Sequence, residues 1–378
     1  MWPLIILALF GNVALADVDE CKACTQMAQF VQYNKGGGYD AVLKSATDSL
    51  KLYSPEDRQF LTTVLRYNFR KLYLDVNDAR AGMSAASTCA DMGYCDYANE
   101  YPPPFPINKQ FGDVWDEHSQ IKDTRDKTII VLHDTEVNTM NGTIQVLKDR
   151  GLSVTYAVDI NGDIYQFVRD FRRAWQAGSG IWNGDGCNVA DTNTRSVGIE
   201  TVNHGNAPFP PAQINAIHTL IDYLRAKWHV DPQNIIAHHE NSPDYKFDIS
   251  GYFSWKDMYD GFGVLKGVWQ TTVSNPNDVV LNATIQNPTL LQQVQTMLFN
   301  HGYGTLKIGE AYNNGSVTTA QAVQSFNRKY CPEVFKLEDM RPDGTQIVLP
   351  ENQQVYALTL ARLQWFRDNQ AQQTCRNY

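Results

Sequence analysis

The chain has 378 residues, enough for two or three cores of ordinary domain size. Its formal charge is -9, from 41 Asp and Glu against 32 Lys and Arg, which argues against nucleic acid as a substrate because phosphate binding needs concentrated basic side chains. No stretch approaches the roughly 20 continuous apolar residues of a membrane span, so no transmembrane segment is expected.

Residues 1–16 hold the apolar run LIILALF and end in Ala-Leu-Ala before Asp17, the pattern of a secretory signal peptide. The protein is therefore expected to be exported, either periplasmic or secreted. Seven cysteines in such a chain permit disulfides, although the number is odd. Cys21, Cys24, Cys89 and Cys95 could form two bridges near the amino end, and Cys331 could meet Cys375, which leaves Cys187 over. Cys21 and Cys24 have the spacing of a redox motif, but no strand precedes them, and structural disulfides are the expectation.

Residues 17–100 read as a helical domain. Ser54-Pro55-Glu56-Asp57 sets a capping serine before a proline, and Phe60, Leu61, Val64, Leu65 and Leu72 then recur at helical spacing. Nothing in this unit suggests chemistry, and a protein partner is one reading of it. Residues 101–108 contain Pro102, Pro103, Pro104 and Pro106, a stiff extended segment suited to a linker.

The period changes over residues 109–262. Apolar runs at 129–132, 154–158, 163–168 and 197–202 predict strands, with Asn161-Gly162 turning between the second and third. Ile214, Ile217, Ile221, Leu224 and Trp228 predict one face of a helix from Pro211. The fold class is α/β, a mixed central sheet flanked by helices, with mainly helical domains on either side.

Candidate chemistry lies at strand ends. The run Ile129–Leu132 leads into His133, a second run ends at His238 and His239, and Lys246 and Asp248 follow on a polar loop. Two histidines and an aspartate are the ligand types of a catalytic zinc. The same residues also suit a strand-end histidine satisfied by backbone, and Glu200, after Ser-Val-Gly-Ile, suits a salt bridge as well as acid/base work. His239 competes with His238.

His238, Pro243, Lys246, Asp248 and Phe253 to Trp255 resemble, in order, the second metal-ligand segment of the zinc N-acetylmuramoyl-L-alanine amidases related to AmpD. The resemblance covers roughly residues 126–260. It implies zinc held by His133, His238 and Asp248, Glu200 as acid/base, and Lys246 as support for the oxyanion. It also implies a peptidoglycan or muropeptide substrate cut between N-acetylmuramic acid and L-alanine. Where the family often has Ala-Trp-His-Ala-Gly, this chain has Ala174-Trp175-Gln176-Ala177-Gly178. Thr155 replaces a histidine, and Ile249-Ser250 replace Pro-Gly. These changes are expected to touch substrate contacts more than the metal, and they leave open a muropeptide-binding protein without turnover. The polar stretch 185–193 reads as a solvated loop that could shape specificity near a cleft.

Residues 263–378 are expected to be helical again. Leu291, Val294, Met297 and Leu298 form one stripe, Ala322, Val323, Phe326 and Tyr330 a second, and a last helix is expected over about 351–367. Leu298–Tyr303 and Thr319–Phe326 resemble pieces of a small peptidoglycan-binding domain of the kind appended to wall hydrolases.

Overall fold

The computed structural model describes residues 20–77, 85, 88–89, 105–108, 127–170, 172–188, 190–285, 287–337, 348–370, 373 and 375. The signal peptide expected at residues 1–16, the prolines 102–104 and Cys95 lie outside these residues. The chain divides into two compact units, Met1–Tyr101 and Pro102–Tyr378. No described helix is long and apolar enough to cross a membrane.

The first unit is built on α1 (Glu20–Tyr33), α2 (Tyr39–Ser49) and α3 (Pro55–Asn77). Helix α3 starts where the sequence places it, with the Asp57 amide donating to Ser54 Oγ at 3.0 Å. Met27, Val31, Val42, Leu61, Val64, Phe69 and Leu72 close one core. A disulfide joins Cys24 to Cys89, and Cys21 is also disulfide-bonded.

In the second unit a sheet of β1 (Ile129–Asp134), β2 (Tyr156–Val158), β3 (Ile164–Gln166), β4 (Ser196–Thr201) and β5 (Ile235–Ala237) runs in the order β3-β2-β4-β1-β5. Strands β2, β4, β1 and β5 are parallel, and only β3 at the edge is antiparallel. The central strands are buried on both faces, which is why Ile129–Leu132 reads as a continuous apolar run and not an alternating one. Helix α4 (Met140–Asp149) is capped by Thr139, whose side chain accepts from the Gly142 amide. Between β3 and β4 comes the single turn α5 (Thr192–Arg195). Helix α6 (Pro211–Trp228) buries Ile217, Leu220, Ile221, Leu224 and Trp228, each fully buried side chain contributing about 1.5–3 kcal/mol. Its buried Gln213 donates to the carbonyls of Val158 and Val202, fastening the start of the helix to the ends of β2 and β4.

After the short helix α7 (His238–Asn241) come α8 (Trp255–Phe262), α9 (Lys266–Gln270), β6 (Val279–Leu281), α10 (Pro288–His301), α11 (Thr319–Tyr330), β7 (Val355–Tyr356) and α12 (Ala357–Asn369). The helix expected from 351 starts six residues later, because Val355 and Tyr356 are taken up in pairing with β6. Helix α11 opens with a capping box in which Thr318 and Gln321 each accept the other's backbone amide. Apart from Gln321, all of it is buried, polar residues included.

Two expectations are overturned. Cys375 pairs with Cys187, across 188 positions, and Cys331 is a buried free thiol. The pairing follows the path of the tail. The backbone of Gln373 and Cys375 runs so close over Gly186 that a Cβ there would collide with it. Nor is the stretch from Asp185 simply solvated. Asp185, Cys187, Thr192 and Asn193 are buried, and Asp185 is ion-paired to the buried Arg195 and accepts from Thr128.

Candidate metal centre

Three parallel strands end together. His133 lies near the carboxyl end of β1, directly in register with Glu200 on β4, and His238 is the first residue after β5. Ligand sites of parallel sheets characteristically lie outside these carboxyl ends. The chain then turns back on itself. The His239 amide donates to the Asp248 carbonyl at 2.8 Å, bringing Asp248 level with His238 across a ten-residue loop. A second brace comes from β1, where Asp134 Oδ2 accepts from the Ser250 amide at 2.7 Å.

The outcome is a triangle of ligand atoms. His133 Nδ1 lies 3.0 Å from His238 Nδ1 and 3.0 Å from Asp248 Oδ2, and the third edge, His238 Nδ1 to Asp248 Oδ2, is 2.9 Å. All three residues are buried. Three groups that each present a lone pair to one point repel one another unless positive charge sits between them. A His-His-carboxylate set this close has the donor types and the crowding of a single zinc ion with a position left for substrate or water. The family resemblance selects His238 over His239, and it is His238 that lies with His133 and Asp248. His239 points the other way, its Nδ1 2.7 Å from Ser325 Oγ on α11. Both belong to the start of α7 and not to the strand, which ends at Ala237.

Charge in the site follows from burial. Burial alone would raise the Asp248 carboxyl, but His238 and His133 hold it well below the usual carboxylate range. Burial pushes His238 down to about 4, which favours the neutral imidazole that a metal needs. Burial also drives Asp134 up to about 8, with the charge of Asp248 adding to it. Glu200 is half-buried, and its Oε2 is enclosed without a hydrogen-bond partner. Burial raises its carboxyl to about 7, against the pull of His133 and Lys246. Lys246 is half-buried on the loop, and its charge reaches Glu136, Glu200 and His238. Glu136 holds a left-handed backbone at φ 54 just beyond β1.

The residue that sequence reasoning misplaced is Gln176. Expected to alter substrate contacts, it is buried against the candidate ligand His133, with Oε1 2.5 Å from Nε2. Asn193 was missed altogether. Its Oδ1 accepts from the Gln176 and Ala177 amides at 3.0 and 2.7 Å and so anchors that turn.

Fold and site together define a mixed α/β domain with a buried His-His-carboxylate centre at the carboxyl end of its sheet. Residues 123–249 match the family model described as N-acetylmuramoyl-L-alanine amidase, so the family resemblance read from the sequence is borne out over the middle of the chain. All five predicted site residues fall inside the matched segment. The N-acetylmuramoyl-L-alanine amidase AmiD of Escherichia coli is 32% identical over 146 residues, 34% of this chain and 51% of that protein. The 1,6-anhydro-N-acetylmuramyl-L-alanine amidase AmpD of Haemophilus influenzae is 30% identical over 101 residues, 26% of this chain and 52% of its own length. The chain thus spans about half the length of these two curated relatives. A solved structure of E. coli AmiD with the substrate anhydro-N-acetylmuramic acid-L-Ala-D-gamma-Glu-L-Lys aligns with a TM-score of 0.46 at 22% identity, over 65% of this chain and 91% of that one.

Proposed function

We propose that the protein hydrolyses the amide bond between N-acetylmuramic acid and L-alanine in peptidoglycan or muropeptides, with zinc held by His133, His238 and Asp248. The observation that carries this reading is the triangle of three donor atoms, with the enclosed Glu200 carboxylate in register beside His133. Bound zinc supplies a Lewis acid that polarises the scissile carbonyl and acidifies water. Glu200 takes the proton from the attacking water as the oxygen–carbon bond forms, then gives it to the departing nitrogen as the carbon–nitrogen bond breaks. The products are the lactyl carboxylic acid, which keeps the second proton of the water, and the amine of L-alanine, and Glu200 ends as it began; in solution the pair becomes carboxylate and ammonium. A carboxyl pushed up to about 7 suits both halves of that exchange near neutral pH. The Lys246 ammonium offsets the charge that develops on the carbonyl oxygen.

The test is zinc content and product mass for Asp248→Ala and Glu200→Ala. Removing Asp248 leaves two ligands and lowers zinc occupancy together with activity. Removing Glu200 keeps the zinc and slows turnover by about 100-fold or more. Zinc retained in an active Asp248→Ala protein would sink the ligand assignment. Muropeptide binding without hydrolysis, unchanged by Glu200→Ala, would make the protein a recognition module.

Export fits disulfides such as Cys24–Cys89 and Cys187–Cys375, which persist in oxidising compartments. In this reading residues 17–100 bind a protein partner and residues 263–378 help engage the wall. Pull-down with the first segment and co-sedimentation of the whole protein with peptidoglycan test the two roles.

A further inference from the structure

We infer that Gln176 is a positioning residue for the metal, fixing His133 in the tautomer and ring orientation that turn its Nδ1 toward the ion. The inference rests on the zinc reading above and deepens it.

For His133 to present a lone pair at Nδ1, its ring proton must sit on Nε2. A proton there needs an acceptor, because the residue is buried and Nε2 has no access to water. Gln176 Oε1 stands 2.5 Å away and can only accept. The carboxamide is itself held, since its Nε2 donates to Ser196 Oγ at 2.7 Å, which turns Oε1 toward the imidazole. Its backbone is fixed as well, with the Gln176 and Ala177 amides both donating to Asn193 Oδ1. Room for the side chain comes from Gly198, where a Cβ would lie 2.7 Å from Gln176 Cδ. Gln176 and three positions of the single segment 193–198 thus converge on one hydrogen bond to one metal ligand.

An acceptor behind a ligating histidine commonly changes metal affinity by 10–100-fold when removed. A neutral amide performs this here without adding a further carboxyl group beside Asp134, Glu200 and Asp248. The device also predicts a ranking that packing alone does not. Gln176→Glu keeps an acceptor of nearly the same shape, whereas Gln176→Met keeps only the bulk.

The experiment measures the zinc dissociation constant by chelator competition for the full-length wild type, Gln176→Met and Gln176→Glu, with melting temperatures of the zinc-free proteins alongside. Expected are a dissociation constant about 10–100-fold weaker for Gln176→Met and retention of wild-type affinity or better for Gln176→Glu, with a cooperative melting transition showing that each zinc-free protein is folded. Equal affinity in all three, or an equal loss in both variants, overturns the inference and leaves Gln176 as packing. If Gln176→Met does not fold, Ser196→Ala frees the carboxamide from its anchor with little change of volume. A several-fold loss of affinity in that variant supports the inference and no loss overturns it. A wild type that takes up no zinc refutes the metal reading itself, a result distinct from any ranking among variants.

Discussion

Replacing Lys329 by methionine tests how far the carboxy-terminal helices belong to the metal centre. Lys329 on α11 is fully buried against the equally buried Glu240 of α7, with Nζ 2.7 Å from Oε2. Nζ also donates to the Ile235 carbonyl on β5 at 2.8 Å and lies 4.3 Å from the centre of the Trp255 ring. Burial pushes the ammonium down and the carboxyl up, and each shift is opposed by the partner's charge. Methionine fills the space but leaves Glu240 without its cation, its Oε2 retaining only the Ala237 amide and its Oε1 already unpartnered. Breaking a buried pair from one side costs about 3–5 kcal/mol, a large share of the roughly 5–15 kcal/mol that holds a domain. The double variant Lys329→Met/Glu240→Gln removes the stranded charge and recovers most of that loss. Urea unfolding of the zinc-free proteins, followed by tryptophan fluorescence, measures both. Because Glu240 lies two residues from His238, zinc affinity is expected to fall in the single variant and return in the double. A single variant within about 1 kcal/mol of wild type, or a double variant no better than the single, would refute the reasoning.

Gly198→Ala is expected to weaken zinc binding several-fold, because its Cβ displaces Gln176, and chelator competition checks this. Cys375→Ser opens a bridge between positions 188 apart and is expected to lower stability by about 2–5 kcal/mol in denaturant unfolding, a difference that vanishes when both proteins are measured in reductant. Cys331, whose thiol burial pushes up to about 12, is expected to resist alkylation until the protein unfolds, which mass spectrometry reads directly. His301 is held down to about 3 by burial among Trp182, Tyr330 and Phe366. The unfolded chain takes up this proton near pH 6.5 and the native chain refuses it, so stability is complete above that pH. It falls by up to about 1.4 kcal/mol for each unit between 6.5 and 3. His301→Phe is expected to flatten part of that slope in unfolding curves taken across the range.

The strands were legible in the sequence because they are local signals, whereas the ligand set came from the family resemblance, since apolar runs alone leave each histidine open to a backbone partner. An apolar run that ends in a histidine places that histidine at a strand end whatever the rest of the chain does, and β1, β4 and α6 lie where their patterns put them. Partner choice between distant segments was not legible. Cysteine spacing carries no information about a pairing 188 positions apart, which depends on the tail crossing Gly186. A lone glutamine in an aperiodic loop gives no hint that it ends on an imidazole 43 positions away. Helix α11 shows a further limit. Ala322, Val323, Phe326 and Tyr330 make an apolar stripe, and that stripe says nothing of where Ser325, Arg328 and Lys329 lie. In the fold these three are buried on the ligand segment. Ser325 bonds His239, Arg328 donates to the Phe247 carbonyl at 2.8 Å, and Lys329 meets Glu240. Polar side chains can line a buried face where each finds a partner, and hydrophobic periodicity does not register that case.

Strand β4 joins these observations. In a strand every second residue faces the same side, so Ser196, Gly198 and Glu200 form one row, in register with Ile129, Val131 and His133 on β1. Ser196 holds the carboxamide of Gln176, Gly198 leaves the space in which it lies, and Glu200 stands at the end beside the ligand that Gln176 touches. On the proposed reading these three alternate residues serve one ligand through anchor, clearance and proton carrier, and the alternation of the strand keeps them aligned. A one-residue slip of β4 against β1 would turn all three away together. The buried Val197 and Ile199 on the opposite face oppose such a slip, so the same residues that build the core also set the register of the site.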